Sequence, residues 1–193
     1  MKIAFFDFDG TITRHDTFIK FAKFSVGHTR FYISILKSIP TLCLWKLGLK
    51  SNSEAKESLF ARLYKGMDYL QFKQYGETFA KIVNRDTRPE IVEALRVHYQ
   101  SGHRIVIVSA SIGDWIRPWA SHNNVYNVIA TEVEVDTNGC LTGRFLTANC
   151  HGSEKVVRIK QMFPDIENMK TWAYGDSRGD DEMLSIVNHP NRV

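Results

Sequence analysis

Residues 5–13 read Phe5-Phe6-Asp7-Phe8-Asp9-Gly10-Thr11-Ile12-Thr13. The apolar run that ends at Phe6 predicts a short buried strand, and this strand stops at two carboxylates and a glycine turn. Because a carboxylate is costly to bury, a pair of them at this position needs a chemical reason. One aspartate can attack an electrophile while the other moves a proton, provided that a cation relieves their mutual repulsion. The stretch therefore predicts a strand end that carries reactive groups.

Strands alternate with helices through the second half of the chain. Apolar runs predict strands at 104–108, 125–135 and 171–174, with a hairpin turn at 136–139 and a further strand beginning at 191–193. Helices are predicted at 87–100, 114–121, 152–162 and 180–187, the first from a capping box at Thr87–Glu90 with a proline in its first turn. This alternation is typical of an α/β fold with a Rossmann-like parallel sheet and helices on both faces.

The segment between the first and second strands is different, because its pattern is helical throughout. Ser51 and Glu54 form a predicted capping box, and Asp68 is a predicted helix cap. No strand is predicted from Asp16 to Arg85. We therefore expect a catalytic core made of residues 1–15 and 86–193, with residues 16–85 inserted as an all-helical cap.

The most apolar part of this insert is residues 31–49, which read FYISILKSIPTLCLWKLGL. Lys37, Pro40 and Lys46 interrupt it, so it is too short and too charged to span a membrane. We expect a buried pair of helices broken at Pro40. The alternative is an exposed apolar surface that makes a peripheral contact with lipid.

Composition limits the possible classes of protein. The chain has 193 residues, 44% of them hydrophobic, and a net charge of +4. These values are ordinary for a globular protein, and no basic block or aromatic motif indicates binding to nucleic acid. The three cysteines have no metal-ligand spacing, and no signal peptide is recognisable, so we expect a cytoplasmic location. The oligomeric state is not predicted.

Three polar clusters each follow a predicted strand. Asp7 and Asp9 follow the first strand, Ser109 and Ser111 follow the second, and a pair of aspartates, Asp176 and Asp180, follows the strand at 171–174. Because ligands bind at the carboxyl ends of parallel strands, these groups are expected to converge. Four carboxylates would repel one another, and Mg²⁺, which prefers oxygen ligands, would relieve the repulsion. Taken alone, residues 175–180 could also be a polar turn.

Two further side chains could contact a phosphate. Ser109 lies at a strand end just before a helix, where a hydroxyl and free N–H groups can bind an anion. Lys155 lies in a first helical turn, where the helix dipole disfavours a cation, so a role in balancing the aspartates is one explanation. The other explanation is an exposed surface lysine. Ser111 is expected to cap the helix that contains Asp114.

These motifs, in this order, resemble the four motifs of the haloacid dehalogenase superfamily. The motifs are Asp7–Thr11, Ser109, Lys155 and Gly175–Asp180. The helical insert resembles the C1 cap of subfamily IB, the branch that is similar to phosphoserine phosphatase. The resemblance implies a phosphatase that works through an aspartyl phosphate.

The resemblance also implies a role for each residue. Asp7 would be the nucleophile, Asp9 the acid and base, and Lys155 the cation that steadies the phosphoryl group. Mg²⁺ would contact Asp7, the carbonyl of Asp9, Asp176 and Asp180. Asp180 would bind it through water or would orient Asp176 and Lys155, and Asp181 is the neighbouring alternative for Asp180. The implied substrate contacts are Thr11, Asp16, Ser109 and Ala110.

The substrate class remains open between alternatives. The leading expectation is a small phosphorylated metabolite such as phosphoserine, although Gly10 and Ala110-Ser111 depart from the usual pattern of phosphoserine phosphatases. A lipid phosphate of the phosphatidylglycerophosphate type would suit the apolar segment 31–49. A non-catalytic phospho-ligand-binding protein and a phosphotransferase are further alternatives, but binding alone does not require both Asp7 and Asp9.

Overall fold

The computed structural model describes residues 1–193, the side chain of Leu42 excepted. The elements in chain order are β1 (Lys2–Phe6), α1 (Thr17–Val26), α2 (His28–Lys46), α3 (Asn52–Tyr64), α4 (Tyr69–Val83), α5 (Pro89–Gln100), β2 (Arg104–Ile112), α6 (Gly113–His122), β3 (Asn127–Thr131), β4 (Val133–Val135), β5 (Leu141–Phe145), α7 (Ser153–Met162), β6 (Lys170–Gly175), α8 (Asp181–Ser185) and β7 (His189–Arg192).

The main sheet is parallel and has the strand order β3-β2-β1-β6-β7. The α/β class predicted from the alternation of elements is therefore confirmed. β1 is the central strand, so the turn that follows it lies between the ends of β2 and β6. A separate hairpin of β4 and β5 pairs antiparallel across the predicted turn at 136–139.

Helices cover both faces of this sheet. Ile3 and Phe5 of β1 pack in one cluster with Ile159 of α7. Ala4 and Phe6 point to the opposite face and belong to a second cluster, which includes residues of α5 and α6. A parallel strand that is buried on both faces is apolar at consecutive positions, which explains the continuous apolar run before Asp7.

The segment that contains α1 to α4 is helical, as predicted. The Ser51 hydroxyl accepts a hydrogen bond from the Glu54 N–H, and the Glu54 carboxylate accepts one from the Ser51 N–H. Asp68 caps α4 through a 2.9 Å bond from the N–H of Gln71. Both predicted caps are confirmed, whereas the division of the chain into a core and a cap stays a prediction.

The expected break at Pro40 is wrong, because α2 continues through this proline. Pro40 is exposed, so the helix loses one hydrogen bond where the orphaned carbonyl of Leu36 can be hydrated. The expectation that segment 31–49 is buried is also wrong. Leu36 and Ile39 are exposed, while Phe31 of the same helix is buried.

The start of α5 also differs in detail from the prediction. Pro89 is the first helical residue, as expected, but Arg88 occupies the N-cap position and no side chain caps the helix. The Thr87 hydroxyl donates instead to the carbonyl of Asn84, so the predicted capping box is absent. Across the described part of the chain, no helix is both long enough and apolar enough to cross a membrane.

Candidate active site

The turn after β1 brings two distant parts of the chain together. The Asp7 N–H donates to the carbonyl of Tyr174, which ties the start of the turn to β6. Gly10 has a φ of +81°, and a Cβ atom there would lie 2.3 Å from Oδ2 of Asp176. Only glycine allows both this conformation and this approach. The glycine of the first motif therefore sets the distance between the turn and Asp176.

Lys155 lies at the centre of the site. Its Nζ donates to Oδ1 of Asp7 at 2.6 Å and to Oδ1 of Asp180 at 2.5 Å. Lys155 is 2% exposed, so the alternative explanation of a surface lysine is wrong. The other oxygen of Asp180 accepts hydrogen bonds from the N–H and the hydroxyl of Ser177. Asp180 is therefore held from both sides and fixes the position of Lys155.

Three carboxylates form a cluster that could hold a cation. Oxygens of Asp7, Asp176 and Asp180 all lie within 4.8 Å of one another. The Thr11 hydroxyl lies 3.3 Å from Oδ1 of Asp176 and 3.4 Å from Oδ2 of Asp7. A small set of carboxylate oxygens is the donor chemistry that suits Mg²⁺. The residues present therefore fit the cofactor that the sequence predicted.

The carboxylate of Asp9 lies outside this cluster, where hydroxyl groups hold it. Its Oδ1 accepts from the N–H of Thr17 at 2.9 Å and from the Thr17 hydroxyl at 2.6 Å, and its Oδ2 accepts from the Ser111 hydroxyl. The Trp115 indole N–H donates to Oγ1 of Thr17 in turn. Any contact between Asp9 and a cation in the cluster would therefore use another atom, such as its carbonyl.

The prediction that Ser111 caps a helix is wrong, because β2 is longer than predicted. β2 runs on to Ile112, beyond the predicted strand end, with an irregular register between Ser109 and Ile112. Ile112 is then the N-cap residue of α6, and no side chain caps this helix. The irregularity leaves Ser111 inside the site, where it binds Asp9.

Burial sets the ionisation of the two aspartates. Burial raises the pKa of Asp7 to about 7, against the opposing effect of Lys155. Burial also raises the pKa of Asp9 to about 6, with a contribution from Asp16, against the hydrogen bonds from Ser111 and Thr17. Burial alone would lower the pKa of Lys155, but the attraction of Asp7 and Asp180 outweighs it and the net shift is upward. The site thus holds a permanent cation beside two carboxyl groups that titrate near neutrality.

A cavity of about 320 Å³ opens over these groups, and Asp7, Asp9 and Lys155 line it. The predicted substrate contacts Asp16, Ser109 and Ala110 line it as well, whereas Thr11 lies beneath them in the turn. Ser109 is buried, and its Oγ accepts from the N–H of Ser111 at 3.0 Å. Asp16 is exposed and accepts from the N–H of Ile19, which makes it the cap of α1.

The family model for haloacid dehalogenase-like hydrolases matches residues 4–185. The chain belongs to this family. It is 32% identical to the protein CicA of Caulobacter vibrioides over 184 residues, which are 94% of this chain and 81% of CicA. The fold is similar to a Bordetella pertussis protein of unknown function, with a TM-score of 0.83, 23% identity and coverage of 98% of this chain and 88% of that one.

The hydrolase also shares its fold with solved phosphoserine phosphatases. A phosphoserine phosphatase solved with an analogue of its phospho-aspartyl intermediate has a TM-score of 0.62 and 18% identity, covering 98% of this chain and 84% of that chain. At this identity the likeness concerns the fold alone. The resemblance to the haloacid dehalogenase superfamily is confirmed, and the fold is similar to that of phosphoserine phosphatases.

Sequence reasoning missed Thr17 and Lys56 of the site of this hydrolase, and it gave Ser111 the wrong role. Thr17 and Ser111 bind Asp9, and Lys56 of α3 donates from Nζ to the carbonyl of Ala110 at 2.8 Å. Lys56 lines the cavity, where burial lowers its pKa against the attraction of nearby aspartates. The sequence RIVIVSASI at 104–112 has no strand signal at Ser109–Ser111, so it did not show that Ser111 would bind Asp9. No local signal predicts Lys56, because its position depends on how α3 packs against α2 and β5.

We predict that Ser111→Ala shifts the pH dependence of this hydrolase. The Ser111 hydroxyl favours the charged form of Asp9, so its loss raises the pKa of Asp9 further. For an aryl phosphate with a good leaving group, Asp9 is needed mainly as a carboxylate base, so the acidic limb of the kcat profile moves to higher pH. A pH–rate profile measures this shift. Ser101→Ala, at an exposed helix end, is the control and leaves the profile unchanged; an unchanged profile for Ser111→Ala would show that the Ser111–Asp9 bond is unimportant.

Proposed function

We propose that this hydrolase cleaves phosphate monoesters in the presence of Mg²⁺ and passes through an aspartyl phosphate on Asp7. One observation carries the proposal: Lys155 bridges Asp7 and Asp180 beside a carboxylate cluster, while Asp9 is held apart by Thr17 and Ser111. The two aspartates of the first motif thus have separate environments, as a nucleophile and a proton carrier require.

The first step would form a bond between Asp7 and phosphorus and break the ester bond. Oδ1 of Asp7 accepts a 2.6 Å hydrogen bond from Lys155, whereas Oδ2 has only a 3.4 Å contact with the Thr11 hydroxyl, so Oδ2 is the oxygen that would attack. Asp9 would give its proton to the leaving oxygen, which becomes an alcohol. Lys155 would offset negative charge on the carboxylate and the transferring group. Bound Mg²⁺ would supply further charge neutralisation and orient the phosphoryl oxygens.

The second step would hydrolyse the aspartyl phosphate. Asp9, now a carboxylate, would take a proton from a water molecule as the water oxygen bonds to phosphorus and the bond to Asp7 breaks. Inorganic phosphate leaves, and both aspartates return to their starting states. The pKa of Asp9, which burial raises to about 6, suits a group that is an acid in one step and a base in the next.

The small cavity favours a small phosphorylated metabolite such as phosphoserine. Asp16 and Lys56 line it and could contact the charged groups of an amino-acid phosphate. A lipid phosphate is the second candidate, since Phe18, Trp45 and Leu59 give the same cavity an apolar wall. Three unpaired cysteines agree with a cytoplasmic location for either substrate.

We predict that turnover depends on the metal. With an aryl phosphate, excess chelator is expected to lower the rate by at least ~100-fold, and added Mg²⁺ to restore it. Full activity in chelator would contradict a role for the cation. Binding of phosphate esters with no turnover in Mg²⁺ would favour the non-catalytic alternative. A screen of phosphoserine, sugar phosphates, nucleotides and phosphatidylglycerophosphate would then separate the two substrate classes.

A further inference from the structure

The outer side of α2 and the residues just after it form an exposed apolar surface. We name it the docking face, and it comprises Tyr32, Ile33, Leu36, Ile39, Leu44, Leu47 and Leu49. Leu36 is 65% exposed, Leu47 72% and Leu49 71%. The helical period puts Tyr32, Leu36 and Ile39 on one exposed stripe, separate from the stripe of the buried Phe31 and Ser38. Single exposed leucines are ordinary, but a contiguous group of this size indicates a contact.

The docking face lies in the most one-sidedly charged part of the chain. From Thr17 to Ser53 there is no aspartate or glutamate. The same stretch contains six basic residues, Lys20, Lys23, Arg30, Lys37, Lys46 and Lys50. Lys37 and Lys46 lie in α2 itself, and both are exposed. Apolar side chains flanked by lysines are the pattern of helices that bind anionic membrane surfaces.

A basic groove of about 680 Å³ adjoins the docking face. Ile33 lines it together with Arg30, Lys37 and Arg62, and none of the described residues that line it is acidic. Arg30 donates to the carbonyl of Leu63 at 2.9 Å, which orients its guanidinium. Among the residues that the structure describes, these three cations have no ion-pair partner. The groove is therefore a place where a phosphate headgroup could be bound.

We propose that the docking face lies on a lipid bilayer that contains anionic lipids. Its apolar side chains would enter the boundary between headgroups and acyl chains, and Arg30, Lys37 and Arg62 would contact lipid phosphates. A second copy of the chain is a poorer partner, because two such faces would bring like charges together. The charge of the groove thus distinguishes a membrane from self-association.

No residue of the docking face lines the catalytic cavity, but a residue between Leu44 and Leu47 does. Trp45, at the end of α2, lines that cavity, and Leu47 and Leu49 follow it in the chain. A protein held on a bilayer by this face would therefore have its cavity near esters that are carried on the membrane. Membrane binding itself does not depend on the identity of the ester or on the catalytic steps proposed above.

Vesicle flotation tests the proposal on the intact chain. Wild type is expected to bind vesicles of phosphatidylcholine and phosphatidylglycerol at least ~10-fold more tightly than vesicles of phosphatidylcholine alone. Leu36→Glu is expected to lose ~10-fold in binding to the mixed vesicles. The matched control is Leu70→Glu in α4, because Leu70 is 67% exposed and lies outside the docking face. This control is expected to bind as wild type does.

Two further measurements distinguish loss of membrane binding from misfolding and from self-association. Aryl phosphate turnover on the same preparations reports folding and the proposed activity separately, and it should be unchanged in both variants. Equal binding by Leu36→Glu and wild type, or no binding by an active wild type, overturns the proposal. Sedimentation velocity identifies the remaining case, since a dimer that Leu36→Glu dissociates would mean that a second copy covers the face.

Discussion

Replacing Asp7 with asparagine is expected to lower kcat on an aryl phosphate by ~10⁴-fold or more. Asparagine has nearly the same shape, but its neutral amide does not attack phosphorus as a carboxylate does. Removing one buried carboxylate from the cluster with Asp180 should leave the protein folded, because Lys155 keeps its bond to Asp180. The loss should therefore appear in turnover, with circular dichroism and thermal unfolding showing an intact fold.

Asp181→Asn is the matched control for this substitution. Asp181 is exposed, lies next to Asp180 and forms an ion pair with Arg192 on the surface. Its kcat is expected to stay within about twofold of wild type, since exposed ion pairs contribute little. If Asp7→Asn retained a substantial part of the wild-type rate, Asp7 would not be the nucleophile and the proposed mechanism would be wrong.

The second large effect is expected for Lys155→Met, which removes the cation but keeps much of the volume of the side chain. Asp7 and Asp180 would then be buried without their partner, which costs about 3–5 kcal/mol in the free energy of unfolding at neutral pH. The kcat should fall by ~10³-fold because the charge of the transferring group is no longer balanced. Urea denaturation and steady-state kinetics measure the two losses separately.

The pH dependence of this variant gives a further check. Without Lys155 the pKa of Asp7 rises further in the folded protein, so the folded state binds a proton more tightly than the unfolded state. Stability then decreases as the pH rises through the folded pKa, so the loss of stability in Lys155→Met should be smaller at pH 5.

The control is Lys160→Met, at an exposed position of the same helix, which should change the free energy of unfolding by less than ~0.5 kcal/mol. A deficit that is independent of pH would contradict the buried-charge explanation.

The sequence alone was sufficient to predict that the polar residues near the strand ends lie close together. Asp7 and Asp176 directly follow β1 and β6, and Ser109 lies near the carboxyl end of β2, so the topology of the parallel sheet predicts that they meet. The role of Lys155 was ambiguous, because a lysine in the first turn of a helix has the same sequence pattern whether it is exposed or buried. Its burial depends on the contact with Asp7, which is 148 residues away in the chain.

Other features depend on tertiary packing that a local pattern does not encode. Ser111 suits a helix cap and a strand end equally well, and the irregular register of β2 decides between them. The apolar segment that contains Leu36 was expected to be buried. Apolar periodicity shows that one face of a helix needs a partner, but it does not identify the surface that covers this face. Lys56 reaches the carbonyl of Ala110 only through tertiary packing, since α3 packs against α2 and β5.

The central claim is that Asp7 carries the phosphoryl group, and one measurement on Asp9→Asn tests it most directly. With an aryl phosphate whose leaving group needs no proton, this variant should still form the aspartyl phosphate but should hydrolyse it slowly. Rapid mixing is expected to release a burst of one phenolate per active site, and mass spectrometry of the quenched protein should find the phosphoryl group on Asp7. No burst and no modified Asp7, with wild type turning over the same ester, would contradict the account.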